Sequence, residues 1–286
     1  MIRGAYPPEA VEALKDEVIA IATNQRGVVA GVEAKPGAPP AEVLAQTVAV
    51  HFPHKVSELC RTETARDCVV EALHAALGEP LGIKLLQTMM FTKSPGSPGQ
   101  GSHNDEYYIP TRDMSLVASW VALDKVDQEN GGLEVIPGSH RPAVAWPHVP
   151  CDDKRFESAT HVDAAVVGAT ESSWVPAVME PGDALIFSGY LLHRSTANDS
   201  ADRYRRAFVS HYCSSHTLVP WTNDGRFDIK GEGCLRDFLL VRGTDPYAGS
   251  MPVRDVLKPF VRDSTFHAQL AIAPGPKDDE ETKRDE

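Results

Sequence analysis

Cysteine is scarce in this 286-residue chain: Cys60, Cys68, Cys151, Cys213 and Cys234 are widely spaced and form no Cys-x-x-Cys pair. An odd number at such spacing excludes a disulfide framework or a cysteine zinc site, and leads one to expect reduced thiols in a cytoplasmic protein. Long apolar runs are absent too. No stretch of 18 apolar residues occurs, and the N-terminus lacks the basic, apolar, small-residue order of a leader, so neither a membrane span nor a signal peptide is expected. Positive charge is in deficit, with 28 Lys and Arg against 40 Asp and Glu, a net charge of −12. Nucleic acid and anionic membranes need clustered Lys and Arg, so neither is an expected partner. A polyanionic substrate is disfavoured as well, unless a local basic pocket overrides the total; a small molecule remains. Oligomeric state is not legible.

With 42% apolar residues, the chain can bury a substantial core. The reading is one domain over residues 1–276, mainly β with flanking helices, followed by a charged, disordered tail at 277–286. Pro7-Pro8-Glu9 opens a helix whose apolar positions Val11, Leu14, Val18 and Ile19 continue to about Thr23. Residues 24–40 form a loop, 41–50 a short helix and 51–57 a proline-interrupted turn. A second amphipathic helix over 64–77 stops at Gly78, and Leu81 to Phe91 reads as a buried strand. Residues 141–174 are too long for a plain connection and read as a lid or binding segment carrying Trp146, His148, Arg155 and His161. In the stretch beyond Thr217, Phe238 to Val241 is the clearest piece of strand or helix.

The chemistry points to His103-Asn104-Asp105. A histidine and a carboxylate two positions apart project to the same side of an extended strand and can grip one metal ion. His193, at the end of the apolar run that begins at Gly182, supplies a third ligand if the strands close into a barrel. Two histidines and one carboxylate on one face leave half an octahedron open, as non-heme Fe(II) oxygenases require. A chain of this composition holds about one His-x-Asp by chance. A second does occur, His161-Val162-Asp163, and only context separates the two.

That context is Trp120-Val121-Ala122-Leu123-Asp124, Glu129-Asn130-Gly131-Gly132-Leu133, Ile136-Pro137-Gly138-Ser139-His140, Gly182 to Phe187, and His193-x-Ser195-x-x-Asn198-x-Ser200, in that order. It resembles the phytanoyl-CoA dioxygenase family of Fe(II)/2-oxoglutarate oxygenases, from about Lys55 to Tyr212. The resemblance implies a double-stranded β-helix, a cupin-like jelly roll, that binds Fe(II) through His103, Asp105 and His193 and uses 2-oxoglutarate and O2 as co-substrates. It implies oxidative decarboxylation to succinate and CO2 coupled to oxidation of a small molecule, most often hydroxylation, with desaturation or ring formation as variants. Related halogenases lack the carboxylate, so Asp105 disfavours halogenation. The resemblance also places Lys55 and Met89 beside 2-oxoglutarate, Trp120 as a wall of its pocket and Ser195 on its far carboxylate. It puts a strand in front of the first helix, ending where Met1 to Tyr6 lie.

That carboxylate calls for an arginine fork. In the family the arginine stands eleven residues after the second histidine, but here that position is Tyr204. One residue inserted in the turn after Ser200 moves the role to Arg205. Strand alternation then groups Arg205 with Ala207, Val209 and His211, and Arg206 with Phe208, Ser210 and Tyr212; small Ala207 suits the pocket side. His140 reads as a loop-orienting residue and His211 as a satisfied core histidine. Two other classes stay open: a non-catalytic binding protein of the same fold, and a cupin-like metal-dependent isomerase or hydrolase.

Overall fold

The computed structural model describes residues 1–32, 37–78, 80–111, 113–217, 238–247 and 259–262. Four helices come first or between early strands: α1 (Pro8–Ala22), α2 (Pro40–Gln46), α3 (Glu58–Glu63) and α4 (Asp67–Leu77). Proline at the first turn of α1 costs no hydrogen bond, and Val11, Leu14, Val18 and Ile21 form its buried stripe. The helix expected over 64–77 is α4, which starts three residues later and ends, as expected, where Gly78 takes the left-handed conformation (φ 72°); α3, just before it, was not expected. The strand expected from Leu81 is longer than its apolar run.

The strands are β1 (Ala49–His51), β2 (Gly82–Lys93), β3 (Gln100–His103), β4 (Val117–Ala122), β5 (Leu133–Val135), β6 (Val149–Pro150) and β7 (Thr160–His161). They continue with β8 (Val175–Pro176), β9 (Ala184–Ser188), β10 (His193–Ser195), β11 (Arg205–Ser214), β12 (Leu239–Gly243) and β13 (Phe260–Arg262). The larger sheet runs β13-β1-β2-β11-β4-β9, with β12 also on β2; the smaller runs β3-β10-β5-β8, and every pair is antiparallel. This crossed order over two facing sheets is a jelly roll. Ile2 bridges Ala184 at the edge of the larger sheet, as far as the strand before α1 goes in the described residues.

Alternation along β11 decides which residues see the interior. Phe208 and Tyr212 join Leu14, Ile21 and Leu73 in the core between the larger sheet and the helices. Ala207 and Val209 point the other way, into a second core with Trp120, Leu133 and Phe187 between the sheets. Residues 141–174 carry the β6–β7 hairpin, and Trp174 packs on Ile136, Val162 and Leu192 at their end. Gly99 lets this segment lie against β10: a side chain there would meet the Ser195 carbonyl at 2.5 Å. No described helix is long and apolar enough to cross a membrane. The tail 277–286 lies outside the described residues, as does most of 217–274.

Candidate metal centre

His103 ends β3 and His193 begins β10, and the two are direct partners across the smaller sheet. Their ring centroids are 4.2 Å apart. Asp105 is not on the strand, contrary to the sequence reading: β3 stops at His103 and Asp105 opens a short 3-10 turn. Asn104 between them is extended (φ −122°, ψ 140°), so alternation still returns Asp105 to the side of His103. Asp105 Oδ1 lies 3.8 Å from His103 Nε2 and 3.7 Å from His193 Nε2.

The backbone sets which nitrogen of each ring faces inward. His103 Nδ1 is 2.8 Å from the Gly101 carbonyl and His193 Nδ1 is 3.0 Å from the Leu191 carbonyl. A carbonyl only accepts, so each Nδ1 carries the proton and each Nε2 turns a lone pair toward Asp105. Burial, and then the neighbouring His193, push the His103 pKa down to about 3. Burial alone would raise the Asp105 carboxyl, but His193, His211 and His103 around it hold it well below the ordinary carboxylate range. At neutral pH the neutral His103 ring and an ionised Asp105 are therefore ready for a cation.

The donors fit a metal. One ligand atom from each residue falls within 4.8 Å of the others, and no second such group occurs among the described residues. Of the Asp105 oxygens, Oδ2 lies 3.2 Å from His211 Nε2, whereas Oδ1 faces the two imidazole lone pairs, a buried meeting of acceptors that a cation would relieve. The second His-x-Asp does something else: Asp163 accepts the Ala165 N–H to cap a turn, and His161 sits in β7.

A cavity of about 60 Å³ adjoins the triad, walled by Met89, Trp120, Phe187, Ser195, Arg205 and His211. Arg205 is 4% exposed, its guanidinium 5.6 Å from the Trp120 ring centroid and its Nε donating to the Gly131 carbonyl at 3.0 Å. Arg206 faces outward onto Asp124, at 2.8 and 2.7 Å, and Arg203 pairs with Asp127 and Glu129. Ser195 Oγ accepts from Lys93 Nζ at 2.9 Å. Lys55 is half-buried in the turn after β1 and lines neither this cavity nor the larger one, of about 440 Å³, that shares Ser195 and Arg205 with it.

The family model for phytanoyl-CoA dioxygenase (PhyH) matches residues 1–207. The chain belongs to that family. Among curated phytanoyl-CoA dioxygenases, the probable enzyme of Caenorhabditis elegans is 30% identical over 156 residues, covering 51% of this chain and 48% of that one. The peroxisomal enzyme of Bos taurus is 30% identical over 141 residues, 47% of this chain and 40% of that one. The chain thus spans about half the length of the curated relatives it matches, or less. Of solved structures, the non-heme monooxygenase ThoJ superposes with a TM-score of 0.60 at 20% identity, over 85% of this chain and 78% of that one. The epimerase SnoN, solved with Fe3+, alpha ketoglutarate and nogalamycin RO, gives 0.58 at 20% identity over 84% and 93%. At such identity the likeness is one of fold.

Three residues of this phytanoyl-CoA dioxygenase family member go beyond the sequence reading or depart from it. His211 is a buried histidine with a partner on each ring nitrogen, as the sequence reading has it, but one of those partners is the metal-binding carboxylate: its Nε2 lies 3.2 Å from Asp105 Oδ2, while its Nδ1 is 3.4 Å from Gln87 Nε2. An amide N–H on Nδ1 leaves the proton on Nε2, facing the carboxylate. Lys93, which the sequence reading passed over, is buried beside Arg205, its register partner. Burial, then Arg205, holds its ammonium well below the ordinary lysine range. His140 is exposed, and its turn is held by Ser139 Oγ, which accepts the Leu192 N–H at 2.9 Å. Alternation along β11 was a signal for His211; for Lys93 the signal was only a charge at the end of an apolar strand.

Proposed function

We propose that the chain is an Fe(II)- and 2-oxoglutarate-dependent dioxygenase that hydroxylates a small molecule in the cytoplasm, working as one domain over residues 1–276. The observation that carries this reading is the pairing of an open His103–Asp105–His193 triad with a buried arginine at the other side of the same cavity. His103, Asp105 and His193 would hold Fe(II). Bound there with 2-oxoglutarate and O2, the metal supplies oxidative decarboxylation to succinate and CO2 and the oxidation of a substrate C–H bond.

The chain's own residues bind and orient. Arg205 offers a planar fork that no carboxylate among the described residues occupies, whereas Arg203 and Arg206 are each paired. It would take the far carboxylate of 2-oxoglutarate, assisted by Ser195 and by Lys93 in the place expected of Lys55. Trp120 and Met89 wall the co-substrate and keep water from it. Asp105 keeps a position that halide would need, which favours hydroxylation over halogenation. The four described cysteines are free, which suits a reducing compartment.

Adding Fe(II) and 2-oxoglutarate without O2 should produce their joint charge-transfer absorption, and O2 should then release succinate. His103→Ala should abolish both. Binding without succinate would instead favour the non-catalytic reading, and metal-dependent turnover without O2 the isomerase or hydrolase.

A further inference from the structure

Three rings beside the metal centre have no part in holding metal or 2-oxoglutarate. Tyr107 and Tyr108 follow the metal-binding carboxylate in the chain and are 46% and 50% exposed, although Asp105 is buried. Their centroids are 5.2 Å apart, edge to face, and Tyr108 also meets the His103 ring edge-on at 5.8 Å. The pair therefore starts where the metal ligands end. Adjacent half-exposed aromatics offer apolar area and a polar tip at low entropic cost, which is how rings are bound.

His148 arrives from the long 141–174 segment and completes the group. Its ring stacks on Tyr107 (4.0 Å, 17°) and stands across Tyr108 (5.4 Å, 90°). Nδ1 engages Thr160 Oγ1 at 3.1 Å, while Nε2, on the opposite edge of the ring, is buried without a hydrogen-bond partner. Pinning the loop would need the stack alone. A buried, unpartnered ring nitrogen carries a desolvation cost that a ligand oxygen would remove.

We propose that Tyr107, Tyr108 and His148 form the substrate-recognition wall of the metal centre, taking a ring-bearing molecule with a hydroxyl or carbonyl substituent. The ring lies on the exposed tyrosine surface and the oxygen bonds His148 Nε2. This rests on the iron and 2-oxoglutarate reading and gives it a substrate class.

The test uses the full chain loaded with Fe(II) and 2-oxoglutarate under nitrogen, titrated calorimetrically with 2-naphthol, 2-methylnaphthalene and 1-octanol. 2-Naphthol should bind tightest, and Tyr107→Ala should weaken it about tenfold, as loss of one aromatic contact predicts. His148→Phe keeps the stack and removes only the nitrogen, so 2-methylnaphthalene should bind as before while the preference for 2-naphthol disappears. No binding of either naphthalene, or a preference that survives in His148→Phe, would overturn the proposal. The charge-transfer absorption is read in the same samples; its absence would overturn the parent reading alone, because probe affinities are measured separately.

Discussion

Arg206 is committed to Asp124 through two guanidinium bonds, and the Arg206 N–H adds a third to the same carboxylate at 2.9 Å. Arg205, one residue away, is buried at the cavity with its Nε on a carbonyl. Charge-assisted bonds to a carboxylate are worth about 1.5–3 kcal/mol, so Arg205→Gln should weaken 2-oxoglutarate binding roughly ten- to a hundredfold. Arg206→Gln should lower the melting temperature and leave that affinity nearly unchanged; the reverse pattern would dismiss Arg205 as the anchor. Lys93 adds a pH signature. Its ammonium is held low by burial and by Arg205, yet must be charged to assist a carboxylate, so binding takes up a proton. Affinity for 2-oxoglutarate should therefore fall as pH rises through that depressed pKa, and titrations of Lys93→Met should lose this slope.

At the scale of elements, β10 presents His193 to the metal and, one residue on, Arg194 to the outside. Arg194 bonds Glu134 at 2.8 Å and Glu171 at 2.6 Å, and its guanidinium lies 4.3 Å from the Trp174 ring centroid. The pair with Glu134 is buried, whereas the Glu171 side chain is 64% exposed. Arg194→Ala strands a buried carboxylate and should cost about 3–5 kcal/mol; Glu171→Gln should cost less than about 1 kcal/mol. Chemical denaturation of both variants checks the ranking. The same elements explain what the sequence revealed. His103 and Asp105 are neighbours, and Arg205 follows from alternation with Ala207 and Val209, all local signals. Lys93 gains its meaning from Ser195, 102 positions away, and His211 from a carboxylate brought in by the opposite sheet. Such pairings depend on strand register, which a bulge at His211/Tyr212 shifts against β2, and register is not written in any short window.

Across the whole molecule, the metal centre joins the two sheets: His103 and His193 stand on the smaller one, and His211 reaches Asp105 from the larger. A cation bound there should stabilise the native state as a unit. At a hundredfold excess over its dissociation constant, a ligand adds about 2.7 kcal/mol, or about 5–10 °C for a chain of this size. Anaerobic scanning calorimetry with and without Fe(II) should show that rise, chelation should reverse it, and Asp105→Ala should abolish it. The jelly roll itself was legible from the strand-like runs and the family motifs. Helix α3 was not, because six residues with only Cys60 and Glu63 buried show no apolar periodicity.

Each metal-facing histidine is oriented by the carbonyl two residues before it, Gly101 for His103 and Leu191 for His193. No side chain is needed for that bond, so no substitution at positions 101 or 191 removes the acceptor. Tyr107, Tyr108 and the 141–174 segment can therefore be substituted with both backbone acceptors still in place. What the protein recognises can thus be re-engineered apart from the backbone that aims its donors.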